Sequence, residues 1–186
     1  MKRFAIFISL HLFLFLLVIA YQAQSSEWTI DRYKTLSYAR VSGEVTHGDN
    51  LNFWIRVQDN CDKVYNTFTV YTYEKPGDIN QLLDKDIPIK INGAEITASV
   101  QDISPFLMGY RVHLSLGSYP IKEYIYFLKE FYDEFQKYEI EIVDGLDFKA
   151  AKYFDIRNNS WKLDELVPSV LKANKLCKEF SHKKLW

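Results

Sequence analysis

Glycine is scarce, at seven residues in a chain of 186. No cluster of them forms a phosphate-cradling loop, and there is no Gly-x-Ser-x-Gly elbow. Only two cysteines are present, Cys61 and Cys177, which excludes Cys-x-x-Cys redox or zinc chemistry and a disulfide-dense scaffold. Histidines number four, none in a His-Glu-x-x-His pattern, and no EF-hand spacing occurs. No metal and no cofactor is therefore expected. Charge of one sign is also lacking: 23 basic residues face 24 acidic ones, a formal net of −1. A nucleic-acid partner needs a basic excess or stripe, so none is expected. Repeats, linkers and low-complexity segments are absent as well.

Long apolar runs are missing with one exception. Lys2 and Arg3 precede an almost wholly apolar stretch from Phe4 to Ala20, and small or polar residues follow in AYQAQSS. This is the pattern of a secretory signal peptide, read as residues 1–23 with cleavage after Ala23, although Tyr21 at the −3 position is not small. The competing reading is an uncleaved anchor. The run is short of the roughly 20 apolar residues of a stable span and contains Ser9 and His11. No cysteine stands at its end to carry a lipid. Residues 24–186 then form one exported globular domain, periplasmic or secreted, with no stable membrane span. Without Lys2 and Arg3 the 23 basic residues become 21 against 24 acidic ones, a net of −3. Two cysteines in an exported chain most simply pair with each other, so a Cys61–Cys177 disulfide is expected.

What the chain has in surplus is aromatic side chains, 16% of residues, with 13 Tyr and 13 Phe. The clearest architecture lies between Gly109 and Tyr138. Tyr110, Val112, Leu114 and Leu116 alternate with Arg111, His113 and Ser115, the period of a half-buried strand. Pro120 opens a helix whose Ile121, Tyr124, Ile125, Leu128, Phe131, Tyr132 and Phe135 form one stripe. Strand and helix are expected to pack face to face.

Upstream, Trp28 and Ile30 anchor a polar lead-in. Strands are expected near Tyr38–Val45, with Ala39, Val41 and Val45 on one face, and over Leu51–Val57 after the turn at His47-Gly48-Asp49-Asn50. A third runs from Asn66 to Tyr73, and Ile79 to Lys85 reads as a single helical turn. Ile87, Ile89 and Ile91 alternate up to Asn92-Gly93, a strong hairpin signal, and Ile96, Ala98 and Val100 return inward. Pro88 marks the first of these two strands as an edge or a late start. Downstream, a hairpin of Tyr138–Val143 and Leu146–Ile156 turns at Asp144-Gly145, and Asn158-Asn159-Ser160 reads as a loop. A last helix spans Asp164–Glu179, capped by Asp164, with Leu163, Leu166, Val167, Val170, Leu171, Asn174 and Cys177 on its buried stripe. A basic tail ends the chain. The fold class is α+β: an antiparallel sheet or sandwich of about eight hairpin-connected strands, with one long helix and a C-terminal helix packed on it.

Candidate sites are few. His113, with Arg111 and Ser115 on the same strand face, is a candidate polar or acid–base site; the plainer reading is a solvent-facing polar row, which every half-buried sheet has. The carboxylate pairs Asp144/Asp147 and Asp84/Asp86 are explained by turn preference. Trp54, Tyr71, Tyr73 and Tyr126 point away from the apolar faces of their elements and are candidate partner-binding residues, because Tyr and Trp bury large area with few rotamers to freeze. A second layer covering that sheet face is the competing explanation. The chain reads as a non-catalytic module binding another envelope or extracellular protein: an inhibitor, an immunity-type factor or an assembly accessory protein. The alternatives are a small hydrolase using His113 and Arg111, and a small-ligand carrier with aromatics lining a cavity between sheet and helix.

Overall fold

A computed structural model describes residues 28–46 and 48–183. The leader expected over residues 1–23, His47, the side chains of His182 and Lys183, and residues 184–186 lie outside them. The fold is α+β and is built on one nine-stranded sheet, which settles the choice between a sheet and a sandwich. The strands are β1 (Thr29–Tyr33), β2 (Leu36–Ser42), β3 (Asn50–Arg56), β4 (Lys63–Thr72), β5 (Asp86–Ile91), β6 (Ala94–Phe106), β7 (Gly109–Pro120), β8 (Lys137–Ile142) and β9 (Asn158–Lys162). Their order is β1-β2-β3-β4-β7-β6-β5-β8-β9, and every neighbouring pair is antiparallel. The long helix α1 (Ile121–Phe135) follows β7, a short α2 (Ala150–Tyr153) precedes β9, and α3 (Leu166–Lys183) closes the chain. Among the described residues no helix is long and apolar enough to cross a membrane.

The sheet curls on itself. The amide of Glu44, just past β2, donates to the Ser160 carbonyl on β9, 2.8 Å away, although β2 and β9 lie far apart in the strand order. Curling encloses Phe53, Phe68, Leu114, Phe154 and Trp161, all fully buried. The alternation expected in β3 and β7 is present: Leu51, Phe53 and Ile55 face inward, as do Val112 and Leu114. α1 starts at Ile121 rather than at Pro120, which is its N-cap and the last residue of β7, and it buries Ile121, Tyr124, Ile125 and Leu128. The 3-10 turn at Ile79–Leu82 is the expected single turn.

α3 crosses β1 and β2. Ser37 Oγ donates to the Ala173 carbonyl (2.7 Å), and Asn174 Nδ2 donates to the Cys61 carbonyl (2.6 Å). Cys61 and Cys177 are joined as a disulfide with Cα atoms 5.9 Å apart. Both are buried. The bridge ties the C-terminal helix to the turn between β3 and β4.

Several elements differ from the sequence reading. The polar lead-in is an edge strand, β1, paired along its whole length with β2. β2 ends at Ser42, and Val45 sits exposed in the turn. Tyr73 falls just past the end of β4. β5 is internal, between β6 and β8; its pairing with β8 begins at Ile89, so Pro88 never has to donate to that ladder. No strand runs over Leu146–Ile156. Asp144 Oδ1 instead accepts from the Ala150 amide (3.0 Å) and folds a loop into α2. The expected loop at Asn158-Asn159-Ser160 is strand β9, with Asn159 and Trp161 inward; a buried asparagine hid the alternation. α3 starts at Leu166 rather than Asp164, whose carboxylate accepts from the Tyr132 hydroxyl instead of capping, and Leu171 is exposed.

Candidate functional site

The residues singled out by sequence do not form one surface. Trp54 and Tyr71 lie on the outer face of the sheet and are half-buried. Trp54 Nε1 donates to Thr67 Oγ1 (3.0 Å), its ring sits 5.0 Å from that of Tyr38, and the Arg40 guanidinium covers both. Tyr71 packs on Phe106 with ring centroids 4.7 Å apart. Tyr73 is exposed, with its amide donating to Asp155 Oδ1. Tyr126 projects from the solvent flank of α1, with Lys129 Nζ 5.9 Å above its ring. Because Trp54 is packed and Tyr126 is not, Trp54→Ala is expected to cost about 2 kcal/mol and Tyr126→Ala less than about 0.5 kcal/mol, read as thermal midpoints.

Arg111, His113 and Ser115 do share the outer face of β7. His113 Nδ1 lies 3.0 Å from Thr69 Oγ1, and the register places Asp102 of β6 opposite it. Burial, aided by the Arg111 charge, holds the imidazole pKa below its usual value, so the ring is neutral at pH 7. It borders a shallow depression of about 460 Å³. Ser115 Oγ accepts from the Gly117 amide, Arg111 Nη2 donates to Ser104 Oγ, and no hydrogen bond among the described residues joins His113 to Ser115 or Asp102. Among the described residues no three His, Cys, Asp or Glu side chains are placed to hold a metal.

The larger concavity lies elsewhere, between α1 and the β5–β6 hairpin, where an open groove of about 670 Å³ runs along the helix. Its far wall is set by the hairpin turn. Asn92 and Gly93 adopt φ of 47° and 84°, which that residue pair tolerates and few others do. The Asn92 side chain then fixes the turn to β8, donating to the Lys137 carbonyl and accepting from the Glu139 amide, each at 2.9 Å. Ile96, expected to be covered, is 40% exposed because the groove opens over it. The near wall is a row of aromatic rings. Tyr124, Phe127, Phe131 and Phe135 follow one another at centroid separations of 5.6, 5.8 and 4.8 Å. Phe127 is 49% exposed and Phe135 38%.

The floor is polar and satisfied. Asn66 Oδ1 accepts from the hydroxyls of Tyr124 (3.1 Å) and Tyr138 (3.4 Å), while Asn66 Nδ2 donates to the Asn52 carbonyl (3.2 Å). Burial raises both phenol pKa values, so these hydroxyls stay protonated. The helix rim is acidic: Glu123, Glu130 and Glu134 line the groove, and helical spacing puts Lys122 and Lys129 on the opposite flank. None of the three glutamates has a cationic side chain within ion-pair distance among the described residues.

The sequence reading missed Phe127, which stands outside the seven-residue stripe. That stripe was itself wider than the helix needs for its core contact, since Phe131 is only half-buried and Phe135 exposed. An apolar arc extending past the core-facing side was the available signal. Comparison with family models, with curated proteins and with solved structures finds no match to this chain. The groove's own chemistry therefore carries the functional reading.

Proposed function

We propose that the protein is an exported, non-catalytic binding module, periplasmic or secreted, whose α1 groove seats an apolar, positively charged segment of another envelope or extracellular protein. The observation carrying this reading is the pairing of an open aromatic wall with an unneutralised acidic rim. The wall runs from Tyr124 to Phe135, roughly 16 Å along the helix, which suits an elongated occupant. Glu123, Glu130 and Glu134 supply charge complementarity for Lys or Arg at its edge. The leader pattern and the disulfide support export.

A displayed library of amphipathic peptides tests it. Sequences with spaced apolar residues and flanking Lys or Arg are expected to be enriched. Their affinity should fall at least about tenfold for Glu130→Lys/Glu134→Lys and for Phe127→Asp. No enrichment, or equal binding by these variants, contradicts the reading. The groove volume also lies in the range of small-molecule sites. Saturable uptake of a neutral naphthylamine dye without any peptide enrichment would move the function to a small-ligand carrier.

A further inference from the structure

The β6–β7 turn carries apolar residues at positions where turn chemistry and solubility both oppose them. Phe106 pairs with Gly109, leaving Leu107 and Met108 as a two-residue hairpin loop. Their side chains are 83% and 71% exposed. Leu107 holds φ at 49°, the left-handed region that two-residue hairpins normally fill with Gly, Asn or Asp. A leucine there carries a steric cost as well as an exposed apolar surface. Retention of both costs at one point marks a functional position.

The tip is convex and projects from the end of β6, the longest strand at 13 residues. A flat protein surface cannot cover side chains that diverge from a point; a fluid apolar medium can. Behind the tip stands an amphipathic collar. Tyr71 packs on Phe106, the Tyr73 backbone abuts Gly109, and Arg111 lies two residues beyond Gly109 on β7. Apolar side chains foremost, tyrosines next and a guanidinium behind is the sequence of chemistries met on entering a bilayer through its headgroups.

We infer that this hairpin tip docks the protein on a phospholipid membrane, with Leu107 and Met108 entering the acyl boundary and Tyr71, Tyr73 and Arg111 at headgroup level. The docked protein stays peripheral, since a two-residue tip reaches only the interface. The α1 groove meets the sheet near Ala94, at the other end of β6 and roughly 40 Å away, so docking leaves it open to a partner in solution.

Co-sedimentation of residues 24–186, which contain the whole described fold, with large vesicles of phosphatidylcholine, and of phosphatidylcholine mixed with phosphatidylglycerol, tests the inference. The wild-type chain is expected to partition onto vesicles. Leu107→Gly/Met108→Ser should weaken partitioning at least about tenfold. The same variant puts glycine at the loop position that holds a positive φ, so its thermal midpoint should be unchanged or higher, which separates lost docking from lost folding. Absence of wild-type binding to both compositions overturns membrane docking and leaves the pocket of a protein partner as the occupant. Equal binding by the double variant overturns the tip as the docking element. Peptide selection on the groove is read separately, so either result can fail alone.

Discussion

Replacing Cys61 and Cys177 together by alanine is expected to destabilise the protein by about 4–5 kcal/mol. The bridged residues are 116 apart in sequence, and the bond acts mainly by limiting how far the unfolded chain can spread. For a chain of this size the loss corresponds to a fall in thermal midpoint on the order of 10–15 °C. The damage should concentrate on α3, which the bridge ties down and which is otherwise held by the Ser37 and Asn174 hydrogen bonds and the burial of Leu166, Ser169, Val170 and Ala173. Urea unfolding of the variant, beside the wild-type chain with and without a phosphine reductant, checks the size. Limited proteolysis checks the place, with early cleavage expected in α3. A loss below about 1 kcal/mol would mean that packing alone holds the helix.

Asn159→Ala is expected to cost a further several kcal/mol, about 3–5, because one side chain satisfies four buried or half-buried groups. Its Oδ1 accepts from the Val45 amide (3.0 Å) and the Ser160 amide (2.8 Å). Its Nδ2 donates to the Thr46 carbonyl (3.2 Å) and to Asp49 Oδ2 (3.0 Å). Gly43 makes room for it: a β-carbon there would lie 2.3 Å from the amide nitrogen. This cluster closes the curled sheet by joining β9 to the β2–β3 turn.

The same cluster gives stability a pH dependence of known sign. Burial, with a smaller push from Asp155, raises the Asp49 carboxyl to about 6, against the hydrogen bonds from Asn159 and the Tyr71 amide. Between about pH 4 and pH 6 the folded chain keeps a proton that the unfolded chain releases, so stability falls as pH rises through that window. By pH 7 the deficit from this group is about 3 kcal/mol. Removing Asn159 takes away a donor that favours the carboxylate and should steepen the fall. His113 works in the opposite sense. Its lowered pKa lets the unfolded chain bind the proton first, so its contribution rises with pH up to about 6.5. Urea midpoints measured across pH 4–8 for wild type, Asn159→Ala and His113→Gln separate the two groups. An Asp49→Asn variant that keeps the wild-type fall between about pH 4 and pH 6 would contradict the assignment to Asp49.

The elements that sequence showed well are those whose burial follows one simple period. β3, β7 and α1 each alternate or stripe cleanly, so their buried faces were legible, although Pro120 proved to be the cap of α1 and the end of β7 rather than the first residue of the helix. The disulfide was legible because two cysteines leave one pairing. β9 was not, because its inward residue Asn159 is buried for hydrogen bonding to a distant turn rather than for its apolarity. β1 was not, because an edge strand with one paired side needs little apolar alternation. The groove was half-legible: its aromatic wall lies in the α1 pattern, but the gap opposite it depends on where Asn92 fixes the β5–β6 turn. The hairpin tip was hidden because Leu-Met is the reverse of ordinary turn composition.

The most direct test of the central claim is chemical-shift mapping of the isotope-labelled, oxidised protein during titration with a basic amphipathic peptide selected against it. Perturbed amides confined to α1, the Ile91–Ile96 turn and Tyr138, saturating with peptide and absent in Phe127→Asp, are the predicted result. Perturbations centred instead on Trp54 and His113 of the outer sheet face, with α1 unmoved, would contradict it.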